Sequence, residues 1–204
     1  MIGIIDYGMG NLASVRNALN SIGAECNIVS TPEELSQSDK AVLPGVGAFG
    51  DAMKTLNSKG FTEVIRSFSL DDKKPIMGIC LGMQLMYEES AEFGPHPGLG
   101  LVEGKVLPLA EYIQDLSIPN IGWCQTERSG DSRLIQNLTD QQLCFYYVHS
   151  FFCRAEDRSV VTATLDYGTT CDAIIEKENI FACQFHPEKS QASGIEILKK
   201  FVEL

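Results

Sequence analysis

The chain has 204 residues, 44% of them hydrophobic and 21% charged, which is the composition of a folded domain and excludes a disordered chain. Sixteen basic against 27 acidic side chains give a net charge of −11, which argues against a nucleic-acid-binding protein. No apolar run approaches the roughly 18 residues that cross a bilayer. We therefore expect one domain over residues 1–204, without a membrane span.

The first half of the chain alternates predicted strands and helices. Short apolar runs, typical of strands buried on both faces, predict strands over 2–5, 28–29, 41–43 and 75–79. Helical spacing predicts three helices. One runs over 12–22 and ends at Gly23, one follows Thr31 as N-cap with a capping box, and one runs from Asp51 towards Phe68.

Beyond Gly94 the pattern changes to short strands. After a loop over 94–98, strands are predicted over 104–107, 143–148, 160–165, 172–176 and 180–185, and a final helix over 190–203. Strand–helix alternation followed by a strand-rich half predicts an α/β fold of three layers, α/β/α, whose middle layer is a central mixed, mostly parallel sheet.

One of the seven cysteines stands in a distinctive setting. The cysteines include no Cys-x-x-Cys pair, which predicts neither a disulfide framework nor a zinc site. Together with an N-terminal apolar run that no Lys or Arg precedes, this places the chain in a reducing cytoplasm. The segment 78–82, Gly-Ile-Cys-Leu-Gly, lies where a buried strand meets a helix, the pattern of a nucleophile elbow with Cys80 as nucleophile. The alternative is a tight turn around an inert buried cysteine.

A cysteine nucleophile needs a base, and the chain has only three histidines. His96 lies between two prolines in the predicted loop and is expected at the surface. His149 follows a predicted strand and is either a core histidine or part of a pocket wall. His186 is followed by Pro187 and Glu188, so a carboxylate can face the same imidazole and fix its tautomer. His186 is therefore the candidate base.

A glycine-rich loop, Pro-Gly-Val-Gly over 44–47, follows the third predicted strand. Its backbone N–H groups, with that of Leu81, can stabilise a developing oxyanion. The alternatives are a phosphate-binding loop or an ordinary strand–helix turn. The absence of a following Lys-Ser or Lys-Thr pair excludes a P-loop.

These residues resemble the catalytic triad of class I glutamine amidotransferases, with Cys80 in Gly-x-Cys-x-Gly and His186 and Glu188 in His-Pro-Glu. Four segments, 5–12, 44–51, 78–84 and 186–190, narrow the resemblance to the family of glutaminase subunits of imidazole glycerol phosphate synthases. The resemblance covers nearly the whole chain and implies a class I glutamine amidotransferase-like fold. It also implies that Cys80 attacks the glutamine amide, His186 moves the protons and Glu188 orients His186.

The resemblance also implies a substrate site around the triad. In it, Gln84 and Glu92 hold the α-amino and α-carboxyl end of glutamine, although on an exposed helix face they would ordinarily be solvated. The other implied contacts are the oxyanion loop of Gly45, Val46 and Gly47, and a wall formed by His149, Ser150 and Phe151.

The family resemblance further implies a partner, a (β/α)₈-barrel cyclase subunit that docks over the glutaminase mouth as a heterodimer. The cyclase uses the ammonia to make imidazole glycerol phosphate and AICAR in histidine biosynthesis. Asn11, Trp123 and Lys189 are implied to face it, although a lone Trp is more often a core residue. No metal or organic cofactor is expected.

Three residues depart from the family pattern. Asn120 and Cys124 replace the usual His and Asn of the partner-facing segment, and Phe151 replaces the usual Tyr. A paralogous glutaminase that feeds an amidotransferase of surface-sugar biosynthesis is therefore an alternative. A cysteine hydrolase of another substrate would share the elbow, but would not require Gln84, the oxyanion loop or His-Pro-Glu.

Overall fold

An eight-stranded sheet runs through the centre of the computed structural model, which describes residues 1–204. Its strand order is β2-β1-β3-β4-β14-β13-β12-β9. The first five strands are parallel and the last three antiparallel. The strands are β1 (Ile2–Ile5), β2 (Cys26–Val29), β3 (Lys40–Gly45), β4 (Ile76–Cys80), β5 (Tyr87–Ser90), β6 (His96–Pro97), β7 (Val102–Pro108), β8 (Asn120–Gln125), β9 (Glu127–Arg128), β10 (Cys144–His149), β11 (Phe151–Ala155), β12 (Val161–Asp166), β13 (Thr170–Lys177) and β14 (Ile180–Cys183).

Helices cover both faces of this sheet. They are α1 (Leu12–Ser21), α2 (Pro32–Ser36), α3 (Phe49–Ser58), α4 (Phe61–Arg66), α5 (Leu81–Leu85) and α6 (Gln191–Glu203). A π-helical turn follows α4 over Ser67–Asp71, and single 3₁₀ turns occur at Leu109–Glu111, Asp140–Gln142, Arg158–Val160 and Pro187–Lys189. None of the helices combines the length and the apolar character needed to cross a membrane.

Two hydrophobic clusters, one on each face of the central sheet, form the core. Ile2 and Ile4 of β1 belong to the cluster under α1 and α6, while Ile5 belongs to the cluster under α2, α3 and α4. A strand that contributes side chains to both faces must be apolar at nearly every position, which explains the unbroken run in β1. The predicted three-layer fold on a mixed, mostly parallel sheet is confirmed.

The capping box predicted at the start of the second helix is present in α2. The Thr31 hydroxyl accepts a hydrogen bond from the Glu34 N–H at 3.3 Å, and the Glu34 carboxylate accepts one from the Thr31 N–H at 3.2 Å, so the capping box of α2 is present.

The single helix predicted from Asp51 to Phe68 is instead two helices, because Gly60 with φ +75° separates α3 from α4.

Two smaller sheets lie beside the central one. They contain the predicted strands β7 and β10 and four strands that the sequence analysis did not predict, β5, β6, β8 and β11. One pairs β10 with β8, and the other has the order β11-β7-β5-β6. The segment 94–98, predicted as a loop, contains the two-residue strand β6 paired with β5. So short a strand has no periodicity of its own and exists only through pairing with its neighbour.

Candidate active site

Cys80 sits at the turn from β4 into α5, with φ 54° and ψ −111°. A positive φ is costly for a residue with a Cβ atom and persists only where the surroundings enforce it. The two flanking glycines do so. A Cβ atom on Gly82 would lie 1.8 Å from the carbonyl oxygen of Leu43, and one on Gly78 would lie 2.7 Å from the carbonyl oxygen of Gly82. The tight elbow predicted from the pentapeptide is therefore enforced by close backbone packing.

His186 lies next to the elbow because β14 and β4 are parallel neighbours, with Cys183 opposite Ile79. Both strands end at the same edge of the sheet, so residues that follow them meet there. The Nδ1 atom of His186 is 2.8 Å from Oε1 of Glu188, and the two side chains are 3% and 1% exposed. Nδ1–H donates to the carboxylate, which directs Nε2 away from Glu188. Nε2 itself has no hydrogen-bond partner.

The electrostatics of His186 reflect two opposing effects. Burial alone lowers its pKa, but the contacts with Cys80 and Glu188 raise the pKa of His186 to about 9. The imidazole is therefore protonated near neutral pH and can serve as a proton donor.

The predicted oxyanion loop lies against the elbow on the other side. Gly45, the last residue of β3, is the register partner of Cys80, and the chain continues through Val46 to Gly47 with φ +99°. The N–H groups of Val46 and Gly47 make no hydrogen bond within the protein. Tyr7 closes this region from below, since its hydroxyl would lie 2.7 Å from a Cβ atom on Gly45. That buried hydroxyl has no partner either.

A cavity of about 570 Å³ opens over Cys80. This volume is in the range of sites for small ligands. Ten of the predicted site residues line it together, namely Val46, Gly47, Cys80, Leu81, Gln84, Glu92, His149, Ser150, Phe151 and His186.

Their sequence pattern alone suggested that Gln84 and Glu92 lie on an exposed helix face, but the structure buries both side chains. Helix α5 ends at Leu85, and both side chains are buried, at 6% and 8% exposure. Glu92 follows β5, and its Oε2 atom accepts a hydrogen bond of 2.6 Å from the Phe49 N–H. Burial raises the pKa of Glu92, against the opposing effect of that hydrogen bond. A helix of five residues has no exposed stripe that periodicity could reveal.

His149 forms part of the cavity wall and is not a second base. Its Nδ1–H donates to the Phe151 carbonyl at 2.9 Å, and its Nε2 accepts from the Asn120 amide at 3.0 Å. Desolvation lowers the pKa of His149 to about 4. Neutral and bonded at both nitrogens, it holds the backbone of Phe151 in place. The structure thus places His149, buried at 5% exposure, at the cavity wall, one of the two positions that the sequence left open.

The predicted partner-facing residues lie on the surface. Trp123 in β8 is 47% exposed and packs edge-on against Tyr146 of β10, with ring centroids 6.2 Å apart. The Lys189 ammonium lies 5.9 Å from the centre of the same Tyr146 ring. Asn11 is exposed and accepts a hydrogen bond from the Ser14 N–H as N-cap of α1.

Asn120 belongs to the same segment but points inward. It is buried at 2% exposure, and its oxygen accepts a hydrogen bond from the Cys124 thiol at 3.5 Å. Of the two departures, Asn120 is thus buried against His149, and Cys124 is partly buried against Asn120. The strand alternates, so Ile121, Trp123 and Gln125 face outward.

Sequence reasoning missed Gln184, which lies fully buried between β14 and His186. Its amide contacts both Gln84 and Cys80. The available signal was a polar residue at the end of an otherwise apolar strand, where a buried amide requires partners.

Comparison with known proteins agrees with this geometry. A family model described as glutamine amidotransferase class-I matches residues 3–204. The chain belongs to the class-I glutamine amidotransferase family and is an enzyme of that class.

Particular relatives narrow the resemblance. The chain is 44% identical to the imidazole glycerol phosphate synthase subunit HisH of Syntrophotalea carbinolica and 45% identical to the subunit of the same name from Chlorobaculum tepidum, with 100% of both chains covered in each case. The resemblance seen in the motifs is thereby confirmed.

Solved structures share the fold at low sequence identity. A crystal structure of a glutamine amidotransferase has a TM-score of 0.75 at 19% identity, and the structure of PurLQS from Thermotoga maritima has 0.76 at 18%. Each match covers 99% of this chain and 97% of the other.

Proposed function

We propose that the chain hydrolyses glutamine to glutamate and ammonia, with Cys80 as nucleophile, His186 as general acid–base and Glu188 as the group that orients His186. The observation that carries this proposal is the single cavity in which the strained Cys80 and the partner-free Nε2 of His186 meet. The buried Glu188 fixes the tautomer that leaves Nε2 free for proton transfer.

The reaction proceeds in two steps. The Cys80 sulfur attacks the side-chain carbonyl carbon of glutamine, and the proton released from the thiol is held on His186. The C–N bond breaks as His186 delivers this proton to the departing nitrogen, which leaves as ammonia. A γ-glutamyl thioester remains, and water activated by His186 cleaves it to glutamate and regenerates the thiol.

Backbone and side chains around the sulfur suit the rest of the substrate. The unbonded N–H groups of Val46 and Gly47, with that of Leu81, stabilise the oxyanion of each tetrahedral intermediate. Gln84 uses its nitrogen within the protein and accepts no hydrogen bond at its oxygen, so that oxygen can receive the substrate's α-ammonium group. Glu92 offers its second carboxylate oxygen beside it, and the backbone of His149, Ser150 and Phe151 forms the opposite wall.

The ammonia passes to a (β/α)₈-barrel cyclase subunit that makes imidazole glycerol phosphate and AICAR in histidine biosynthesis. Two features support this choice. The relatives that match along the whole chain carry the name of the synthase subunit. In addition, the chain exposes several large apolar side chains, three of which (Val46, Phe93 and Ile118) line the cavity, and such exposure is typical of a docking surface. Apart from the two chain ends, the large exposed apolar residues are Val46, Phe93, Tyr112, Leu116, Ile118, Ile121 and Trp123.

The first test replaces the nucleophile. Cys80→Ala should abolish glutamate release from glutamine, by on the order of 10³-fold or more, because the triad acts as a unit. Cys144→Ala, which removes a partly buried cysteine outside the cavity, is the matched control and should retain activity. Full activity of Cys80→Ala would refute the proposal.

The second test concerns the partner. Glutamate release is measured with and without the histidine-pathway cyclase subunit and its ribonucleotide ligand. The isolated chain should release almost no glutamate, because the Val46 peptide must turn its N–H towards the substrate when the partner binds. Strong stimulation by the cyclase is expected. Full activity of the isolated chain would contradict the activation step, and no stimulation would point to another ammonia acceptor.

A further inference from the structure

Gln184 occupies the space between the proposed nucleophile and the proposed substrate-holding Gln84. It is 0% exposed and follows β14, where its backbone N–H donates to the Ala173 carbonyl at 3.0 Å. Its side-chain oxygen is 3.2 Å from Nε2 of Gln84, and its side-chain nitrogen is 3.9 Å from the sulfur of Cys80. A buried amide placed in this way has little freedom to move.

The hydrogen-bond pattern fixes which end of the Gln184 amide faces the sulfur. Nε2 of Gln84 is 3.1 Å from the Phe151 carbonyl oxygen, which can only accept, so Gln84 must present its nitrogen there. The atom of Gln184 next to that nitrogen must then be an acceptor, which is its oxygen. Its NH₂ group is left facing Cys80. A flipped amide would set two donors against each other.

We infer that Gln184 is a further catalytic residue, an N–H donor to the sulfur of Cys80 that stabilises its anionic form. The sulfur carries negative charge before it attacks the amide and again when the thioester breaks. A donor held beside it in a buried site favours that charge at both stages. This inference rests on the proposed function, in which Cys80 is the nucleophile.

The geometry also explains why the donor comes from Gln184. Besides Gln184 and the contact with His186, the sulfur lies 3.8 Å from the Val148 carbonyl oxygen, to which the neutral thiol donates. A carbonyl oxygen repels a thiolate, so it cannot serve the charged form. The Val148 carbonyl therefore accepts a hydrogen bond from the neutral thiol of Cys80, whereas the Gln184 amide donates one to the thiolate.

The test measures the pH profile of Cys80 alkylation by iodoacetamide, with the Cys80 peptide quantified by mass spectrometry. Gln184→Met keeps the length and volume of the side chain but has no N–H donor. We expect the midpoint of the profile to move to higher pH by about one unit, a roughly tenfold loss of thiolate at neutral pH. The variant leaves unchanged the other titratable groups around the sulfur, which are His186, Glu188, Tyr7, Cys153, Cys183, His149 and Glu92.

Two further variants keep the result interpretable. Ile180→Val removes one buried methyl group at the other end of β14 and should leave the alkylation profile where it is. Gln184→Asn keeps a polar side chain but is too short to reach the sulfur, so it should move the midpoint in the same direction and serves if the Met variant does not fold. Circular dichroism and thermal unfolding check the fold of each.

A folded Gln184 variant with the wild-type midpoint would overturn the inference. The alkylation experiment contains no glutamine, so its outcome is separate from that of the proposed function. If the wild-type chain failed to release glutamate with any acceptor subunit, the proposed function would fail, whereas the alkylation profile would still report whether Gln184 stabilises the thiolate.

Discussion

Replacing Glu188 with Gln should weaken the pH dependence of stability, because it removes the negative charge next to His186. The substitution is nearly isosteric, and the Gln oxygen can still accept the Nδ1–H bond now made at 2.8 Å. In the wild-type protein burial lowers the pKa of His186, while the contacts with Cys80 and Glu188 raise it from 6.5 to about 9. Without the carboxylate, the pKa of His186 should fall towards its ordinary value, because only the contact with Cys80 then raises it.

The size of the effect follows from linkage. A net rise of about 2.5 pKa units corresponds to about 3 kcal/mol of stability, to which both partners of His186 contribute. Since the folded-state pKa of His186 is the higher one, the stabilisation is complete below about pH 6.5 and is lost as the pH rises to about 9. Glu188→Gln should remove about 1–2 kcal/mol of this pH-dependent part.

The assay is urea unfolding of both proteins at a series of pH values from about 6 to 9.5. Groups remote from Glu188 titrate alike in the two proteins, so the difference between the two free energies of unfolding reports on the groups near Glu188, chiefly His186. That difference should be largest at the acidic end and shrink towards the alkaline end. Glu127→Gln, at an exposed carboxylate in β9, is the control and should follow the wild type. Parallel curves for Glu188→Gln and wild type would refute the reasoning.

Two other substitutions test the packing beneath the site. Gly82→Ala should destabilise the fold by about 2 kcal/mol or more, since its Cβ atom would lie 1.8 Å from the Leu43 carbonyl oxygen. Gly130→Ala, whose Cβ atom would have 3.5 Å to its nearest neighbour, is the control in the same urea experiment. Equal stability of the two variants would contradict the tight elbow. Tyr7→Phe should raise the free energy of unfolding by about 1 kcal/mol, because it removes a buried hydroxyl without a partner. A loss of stability measured by urea unfolding would show that this hydroxyl is bonded in solution.

The parts of the molecule that short segments encode were predictable. A strand such as β1 is apolar at each position because both faces are covered, and that property is visible in four consecutive residues. The capping box at Thr31 and Glu34 is likewise complete within one helical turn. The elbow around Cys80 and the pair of His186 and Glu188 are also encoded in short segments, which is why these three residues could be predicted as site residues from the sequence.

The remaining features depend on contacts between distant segments. Strand β8 presents Ile121 and Trp123 to solvent and buries the polar Asn120, the reverse of the usual pattern for a half-buried strand. Asn120 can be buried there because His149, 29 residues away in the chain, accepts a hydrogen bond from its amide. Burial of Gln84 depends in the same way on Phe151 and Gln184, neither of which is near it in the chain.

Sheet topology explains why the site lies where it does. Strands β3, β4 and β14 are adjacent and parallel, so Gly45, Cys80 and His186 emerge at the same edge although they are far apart in the chain. The two smaller sheets then stand over this edge, and β10 and β11 carry the wall at His149 and Phe151 across the cavity from Cys80. The central sheet positions the residues proposed for chemistry, and the added sheets supply part of the cavity wall and the exposed Ile121 and Trp123 of β8. A change in the wall should therefore affect substrate binding and partner docking, whereas a change at the ends of the three strands should affect bond cleavage.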